Sequence, residues 1–190
     1  MRKPIIGVLA LAAVVVIGGF GFVYAGIYNV AASDPHWGLV YKVLETVRIQ
    51  SIKAHARGIE VPKNLKDEAT VVMGTDHFAA HCAVCHGAPG VPKGDIAHGL
   101  YPAPPDLAHA AAHLSPGELF WTVKNGLKMT GMPSWKDHTD AELWSTVAFM
   151  QRLPGMTEEE YGKLIMASMN MGSEHHHGGA EPMKDEHEHP

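Results

Sequence analysis

Both cysteines of this 190-residue chain fall within five residues, Cys82-Ala83-Val84-Cys85-His86. The C-x-x-C-H pattern is the attachment pattern for haem of the c type, and it constrains the surrounding fold more than any other stretch. Two thiols three residues apart can add across the two vinyl groups of one haem. The adjacent imidazole is then held under the iron, where its neutral nitrogen can ligate the metal. Three other readings of the same residues stay open at this point. A redox C-x-x-C expects alternating strands and helices, whereas the flanking sequence is helical with few β-branched runs. A zinc site could combine both cysteines with His81 and His86, although no second spaced pair of ligands follows. A disulfide closing so short a loop would add little stability.

The N-terminus sets a second constraint. Arg2 and Lys3 precede an uncharged run that lasts until Asp34, and Ile5 to Ile27 is apolar apart from glycines and Tyr24. A run of this length is enough to cross about 30 Å of hydrocarbon. It exceeds the roughly 7–15 apolar residues of a cleaved signal. Basic residues before the span predict a cytoplasmic N-terminus with the remainder outside the cytoplasm, and Tyr24 and Tyr28 fall where an interfacial aromatic is favoured. Val30-Ala31-Ala32 has the small residues a signal peptidase needs, so a cleaved signal is the alternative to the preferred anchor over residues 1–33. Either route delivers the cysteines to an exported compartment.

Charge excludes one class of partner. The formal net charge of −5 is spread as two basic residues at the start, twelve basic against fifteen acidic over 34–173, and one basic against five acidic over 174–190. With no basic patch, nucleic acid is not expected as a partner. The last segment, 174–190, packs five histidines and five carboxylates into seventeen residues. Its composition predicts a disordered tail, and imidazoles and carboxylates at that density can bind copper, nickel or zinc. The plainer reading is a solubilising polar tail.

Between these ends the chain reads as helical. Asp34-Pro35 predicts a helix start, and Leu39, Val40, Val43, Leu44, Val47 and Ile52 follow a helical period that Gly58 can close. This amphipathic helix and a linker at Val61-Pro62-Lys63-Asn64 occupy 34–66. A following domain over 67–156 would begin with a helix at roughly 66–80 that leads into the cysteines. Gly87 to Ala108 is rich in proline and glycine and predicts irregular loop. Ser115-Pro116-Gly117-Glu118 and Thr139-Asp140-Ala141-Glu142 are two capping boxes. The first opens a helix that Gly126 ends. The second opens one with Leu143, Trp144, Val147, Met150 and Leu153 on a face, stopped by Pro154-Gly155. Residues 157–173 read as a C-terminal extension.

On these residues, Gly74 to Pro154 resembles a class I, single-haem cytochrome c, and the N-terminal span with its following helix is similar to those of membrane-anchored bacterial members. The resemblance implies an all-α domain around one covalent haem c, preceded by a transmembrane and an amphipathic helix. It implies that the domain's first and last helices cross at a glycine and an aromatic pair, for which Gly74, Phe78 and Phe149 are placed correctly. It also implies attachment through Cys82 and Cys85, with His86 as the proximal iron ligand. Gly131-Met132-Pro133-Ser134-Trp135 resembles the family's axial-methionine loop. Met132 is therefore the expected sixth ligand, with Met129 as competitor. Pro104-Pro105-Asp106-Leu107 resembles the loop in which a proline carbonyl, here that of Pro105, accepts a hydrogen bond from the proximal histidine. Trp135 could donate its indole N–H to a haem propionate.

The expected function is that of a one-electron carrier rather than an enzyme, since no general acid–base pair or second cofactor motif is evident. It would work between redox protein partners at the bacterial cytoplasmic membrane, with the haem domain on the periplasmic side. The alternatives are a haem enzyme or gas sensor with a displaceable sixth ligand, or transition-metal binding by the tail. One prediction follows from the span alone: the full chain should resist extraction by high salt and carbonate, since insertion of such a helix is effectively irreversible. A mature protein beginning near Ser33 in the soluble fraction would contradict it.

Overall fold

The computed structural model describes residues 2–176, and among them the chain is helical with no strand. The elements run α1 (Arg2–Tyr24), α2 (Gly38–His55), α3 (Glu68–His81), α4 (Ala83–His86), α5 (Asp95–His98), α6 (Leu107–Ala110), α7 (Pro116–Asn125), α8 (Asp140–Arg152) and α9 (Glu158–His176). This is the all-α architecture expected of a class I cytochrome c-like domain with an apolar N-terminal helix. Residues 177–190, most of the segment predicted to be a disordered tail, lie outside the described residues.

Two compact units divide the chain, one from Met1 to His36 and the other from Trp37 onward. In the first, Pro4–Tyr24 has a mean hydropathy of 2.6 and is long and apolar enough to cross a membrane. Its large apolar side chains are exposed all round, as suits a helix surrounded by lipid. The helix stops at Tyr24 rather than continuing to Ile27, because Gly26 turns the chain at φ +64°. Asp34 does not cap the next helix. Its carboxylate accepts from Asn29 Nδ2 at 3.0 Å and its N–H donates to the Ala31 carbonyl, so it closes a turn instead.

In the second unit α2 begins at Gly38, after Trp37 in extended conformation. Ile52 is buried, while Leu39, Val43 and Val47 of the predicted apolar face remain exposed. The C-terminal end of α2 packs on α7: His55 stacks on Trp121 with ring centroids 5.2 Å apart. The helix ends at His55, and Gly58 at φ +78° completes the turn after it.

The core of this unit is the crossing of α3 with α8. A β-carbon on Gly74 would lie inside the Ser145 carbonyl and only 2.9 Å from Thr146 N, so the two backbones are in direct contact. One turn on, Phe78 and Phe149, both fully buried, meet with centroids 4.8 Å apart. Leu143, Val147, Met150 and Leu153 of α8 are buried as their spacing predicts. Trp144 lies flat on Phe120 of α7 at 4.1 Å. Beyond the expected domain end, α9 returns along α3 and brings Tyr161 to 5.9 Å from Phe149. Both predicted capping boxes form in full, Ser115 with Glu118 and Thr139 with Glu142. The stretch 87–108 is not wholly irregular: it contains α5, the first residues of α6, and a bridge between Ala88 and Val91.

Gly74→Val should therefore destabilise the domain by about 3 kcal/mol or more, the upper end for overpacking, because backbone rather than a flexible side chain blocks the site. Gly162→Ala, with nothing within 4 Å of its would-be β-carbon in α9, should instead stabilise it by about 0.5–1 kcal/mol. Denaturant titration of the two variants checks both signs.

Candidate functional site

Helix α3 runs into the cysteine motif with almost no break. Cys82 N–H donates to Phe78 O at 2.8 Å, and Cys85 and His86 both donate to Cys82 O, at 3.1 and 2.9 Å. The motif is thus one helical turn, which puts residues 82, 85 and 86 on one face. Both cysteines are unpaired and half-buried. Burial, with Cys85 close by, pushes the Cys82 thiol up to about 12. A redox C-x-x-C needs the opposite shift, toward thiolate. Nor do the cysteines gather with His81 and His86 into a metal-sized group among the described residues.

The His86 ring is anchored from nineteen residues away. Its Nδ1–H donates to the Pro105 carbonyl at 2.9 Å, which leaves Nε2 as the nitrogen with a lone pair. Burial holds this imidazole below its ordinary value, with the Pro105 carbonyl opposing and Lys93 reinforcing the shift. The shift favours the neutral ring, the form that can ligate a metal. The loop that supplies the carbonyl is secured on both sides. Lys93 Nζ donates to the Pro104 carbonyl, and the Asp106 carboxylate caps α6 by accepting from Ala108 N–H at 2.9 Å. A cleft of about 330 Å³ borders His86 between the 87–93 loop and Leu107, with Leu153 and Met156 behind.

The methionine loop is folded back on the end of α7. Leu127 N–H donates to Met132 O at 3.3 Å, and Met132 N–H donates to Thr130 Oγ1 at 3.1 Å. Ser134 Oγ and Trp135 N–H both donate to Lys124 O. Gly126, read in the sequence only as a helix stop, is what permits this. At φ +65° it faces the Pro133 carbonyl, and a β-carbon there would lie 2.6 Å from it. Met132 is consequently half-buried against the core. Met129 takes φ +58° and is 69% exposed. Gly131 is approached closely, but by the Leu100 side chain, whose Cδ2 would be 2.5 Å from a β-carbon.

Trp135 is placed among histidines. Its ring lies 5.1 Å from His81, 5.4 Å from His138 and 6.2 Å from His77, centroid to centroid. His77 is tied to α8 through Thr146 Oγ1 at 2.9 Å from Nδ1. Sequence reading passed over His77 and His138. The available signal was the four-residue spacing of His77 and His81 on one helix, which places both on one face.

The donor set fits a covalently held haem c: two thiols and an imidazole on one helical face, with the imidazole's other nitrogen already engaged. Comparison with protein families matches residues 69–150 to the model described as Cytochrome C oxidase, cbb3-type, subunit III. Comparison with curated proteins gives no match. Together with the apolar N-terminal helix, the motif and this match define a membrane-associated protein that binds haem of the c type and carries electrons.

His77 yields a pH prediction. Burial, followed by the neighbouring His81 and His138, holds its imidazole below the ordinary 6.5. The unfolded chain therefore takes up a proton in a range where the folded one does not. Stability falls as pH drops through about 6.5 toward the folded value, and is unaffected above it. In chelator-treated holoprotein the melting temperature should fall between about pH 7.5 and 5.5. His77→Gln should shrink that fall; an unchanged slope would assign it to other groups.

Proposed function

We propose that this chain is a single-haem c-type cytochrome that carries one electron at a time between membrane or periplasmic redox proteins. In this reading Cys82 and Cys85 form the two thioether links, His86 is the proximal ligand and Met132 the sixth. The observation that carries it is the His86–Pro105 hydrogen bond, made on the helical turn that bears both thiols. Redox C-x-x-C sites have no need of an imidazole fixed in this way. The haem supplies a ferric/ferrous couple that takes up and returns one electron.

The chain's own residues account for the rest of the reading. The Pro105 carbonyl orients the imidazole and makes it a better donor. Met132 is favoured over Met129 because its backbone is held at both N–H and C=O and its side chain turns toward the core. A thioether at the sixth position favours ferrous iron and so raises the reduction potential. Trp135 donates its indole N–H to a haem propionate.

The domain arrangement we propose is an anchor over 1–33, the α2 segment over 34–66, the haem domain over 67–156, and an extension and tail beyond. Basic residues at the start of α1, ahead of its apolar run, support a haem domain on the periplasmic side of a bacterial cytoplasmic membrane. The near balance of charge over 34–173 gives little long-range steering. Confinement to the membrane plane would then do most of the work of bringing donor and acceptor together. The matched family is described as an oxidase subunit, which suits a donor or acceptor within a membrane redox complex.

Mass spectrometry of protein matured with haem-attachment machinery should find one covalent haem, lost in Cys82→Ala and Cys85→Ala. Met132→Ala should remove the weak sulfur-to-iron absorption of the oxidised protein, lower the potential and admit carbon monoxide, whereas Met129→Ala should leave all three nearly intact. Exchange of these behaviours would move the ligand to Met129. Rapid carbon monoxide binding by the wild type would favour the gas-sensor or enzyme reading.

A further inference from the structure

We propose that His77, His81 and His138 form a three-imidazole site for a divalent late first-row metal ion of the zinc or copper type, separate from both the haem motif and the histidine-rich tail. The ligand-capable nitrogens of these three residues all lie within 4.8 Å of one another, and each residue is half-buried. His77 and His81 come from the last turns of α3, and His138 from the turn before α8. An ion held by all three would therefore fasten the two crossing helices together.

The geometry is close to that of a bound site. In a tetrahedral zinc site with metal–nitrogen bonds of about 2.0–2.1 Å, neighbouring ligand nitrogens are about 3.3 Å apart. His77 Nε2 and His138 Nδ1 already stand at 3.1 Å. The widest of the three separations needs to close by about 1.5 Å, which a side-chain torsion of His81 or His138 can supply.

The surroundings orient the ligands as metal sites require. The Thr146 hydroxyl donates its single proton to the Glu142 carbonyl at 2.9 Å, so its oxygen accepts from His77 Nδ1–H. This sets the His77 tautomer and directs the Nε2 lone pair into the cluster, as outer hydrogen bonds do for metal-bound histidine. Without metal, the Nδ1 proton of His138 bridges to His77 Nε2. On binding, that proton is exchanged to His138 Nε2 through solvent, which frees Nδ1 for the ion. The Trp135 ring covers one side. Three imidazoles leave a fourth position for water, and neutral nitrogen donors suit zinc by geometry and copper by intrinsic affinity.

The test uses the full haem-loaded chain in detergent with His175, His176, His177, His187 and His189 changed to Ser, so that the tail cannot contribute. Titrated with Zn²⁺ against a chromophoric chelator, this chain should take up one ion with a Kd on the order of micromolar or tighter. Its melting temperature should rise with free Zn²⁺, as binding to the folded state alone requires. His77→Gln and His138→Gln should each weaken binding by at least about tenfold with the haem spectrum unchanged. His109→Gln, in the separate His109–His113 ring pair, should leave it unaltered. Cu²⁺ bound to the same chain should display nitrogen couplings in electron paramagnetic resonance that vanish with the same two variants. Should His77→Gln fail to fold, His81→Gln and His138→Gln decide the matter. Absence of a stoichiometric ion, or binding indifferent to these histidines, overturns the proposal and leaves a metal-free hydrogen-bonded cluster. None of these outcomes depends on the identity of the sixth haem ligand.

Discussion

Where α3 and α8 cross, the Ser145 carbonyl occupies the space that a β-carbon on residue 74 would need. Contact of two backbones at that point fixes the angle and depth of the crossing more tightly than side-chain packing could, since neither partner has a rotamer to adjust. The Phe78–Phe149 contact one turn away then locks the rotation of each helix. The other parts of the domain take their positions from these two helices. Because α3 continues into the cysteine turn through the Cys82–Phe78 hydrogen bond, its direction decides where both thiols and the His86 ring point. Because α8 starts at the Thr139 cap, its position decides where the 127–138 loop has to end.

Around that crossing, two proline-containing loops are given definite shapes by hydrogen bonds to their carbonyls. A proline has no N–H, so such loops cannot hold themselves with backbone ladders, but their carbonyls remain strong acceptors. His86 serves the carbonyl of Pro105, Lys93 that of Pro104, and Leu127 that of Met132. The first bond ties the Pro105 loop to the helical turn of the cysteines, the second ties it to the loop around Lys93, and the third closes the methionine loop on itself, which limits the orientations open to the candidate haem ligands. The histidine cluster uses the same pattern with side chains alone: Thr146 on one helix orients His77 on the other.

Local signals in the chain read through well and distant ones did not. The capping boxes at Ser115 and Thr139 formed as expected, because a box is closed by residues three apart. Failure at Asp34 has the same scale: Asn29, five residues upstream, competed for its carboxylate. The α2 face was legible as apolar, yet burial reached Ile52 and left Leu39, Val43 and Val47 outside, since periodicity does not say how far a partner extends. Nor does the motif around Gly131 say what lies against that glycine, which is the Leu100 side chain from a loop about thirty residues earlier.

By itself the sequence determined the C-x-x-C-H turn, the apolar N-terminal helix and the capping boxes at Ser115 and Thr139, while the glycine and aromatics of the crossing came from the family resemblance. The first three rest on residue type or on spacings within a turn or two. Tertiary structure alone decided that Met132 turns inward while Met129 faces out, and that His77 and His138 lie in hydrogen-bonding distance across sixty-one positions of chain. Those choices depend on loop closure and on one backbone approach at Gly126, which no local pattern encodes.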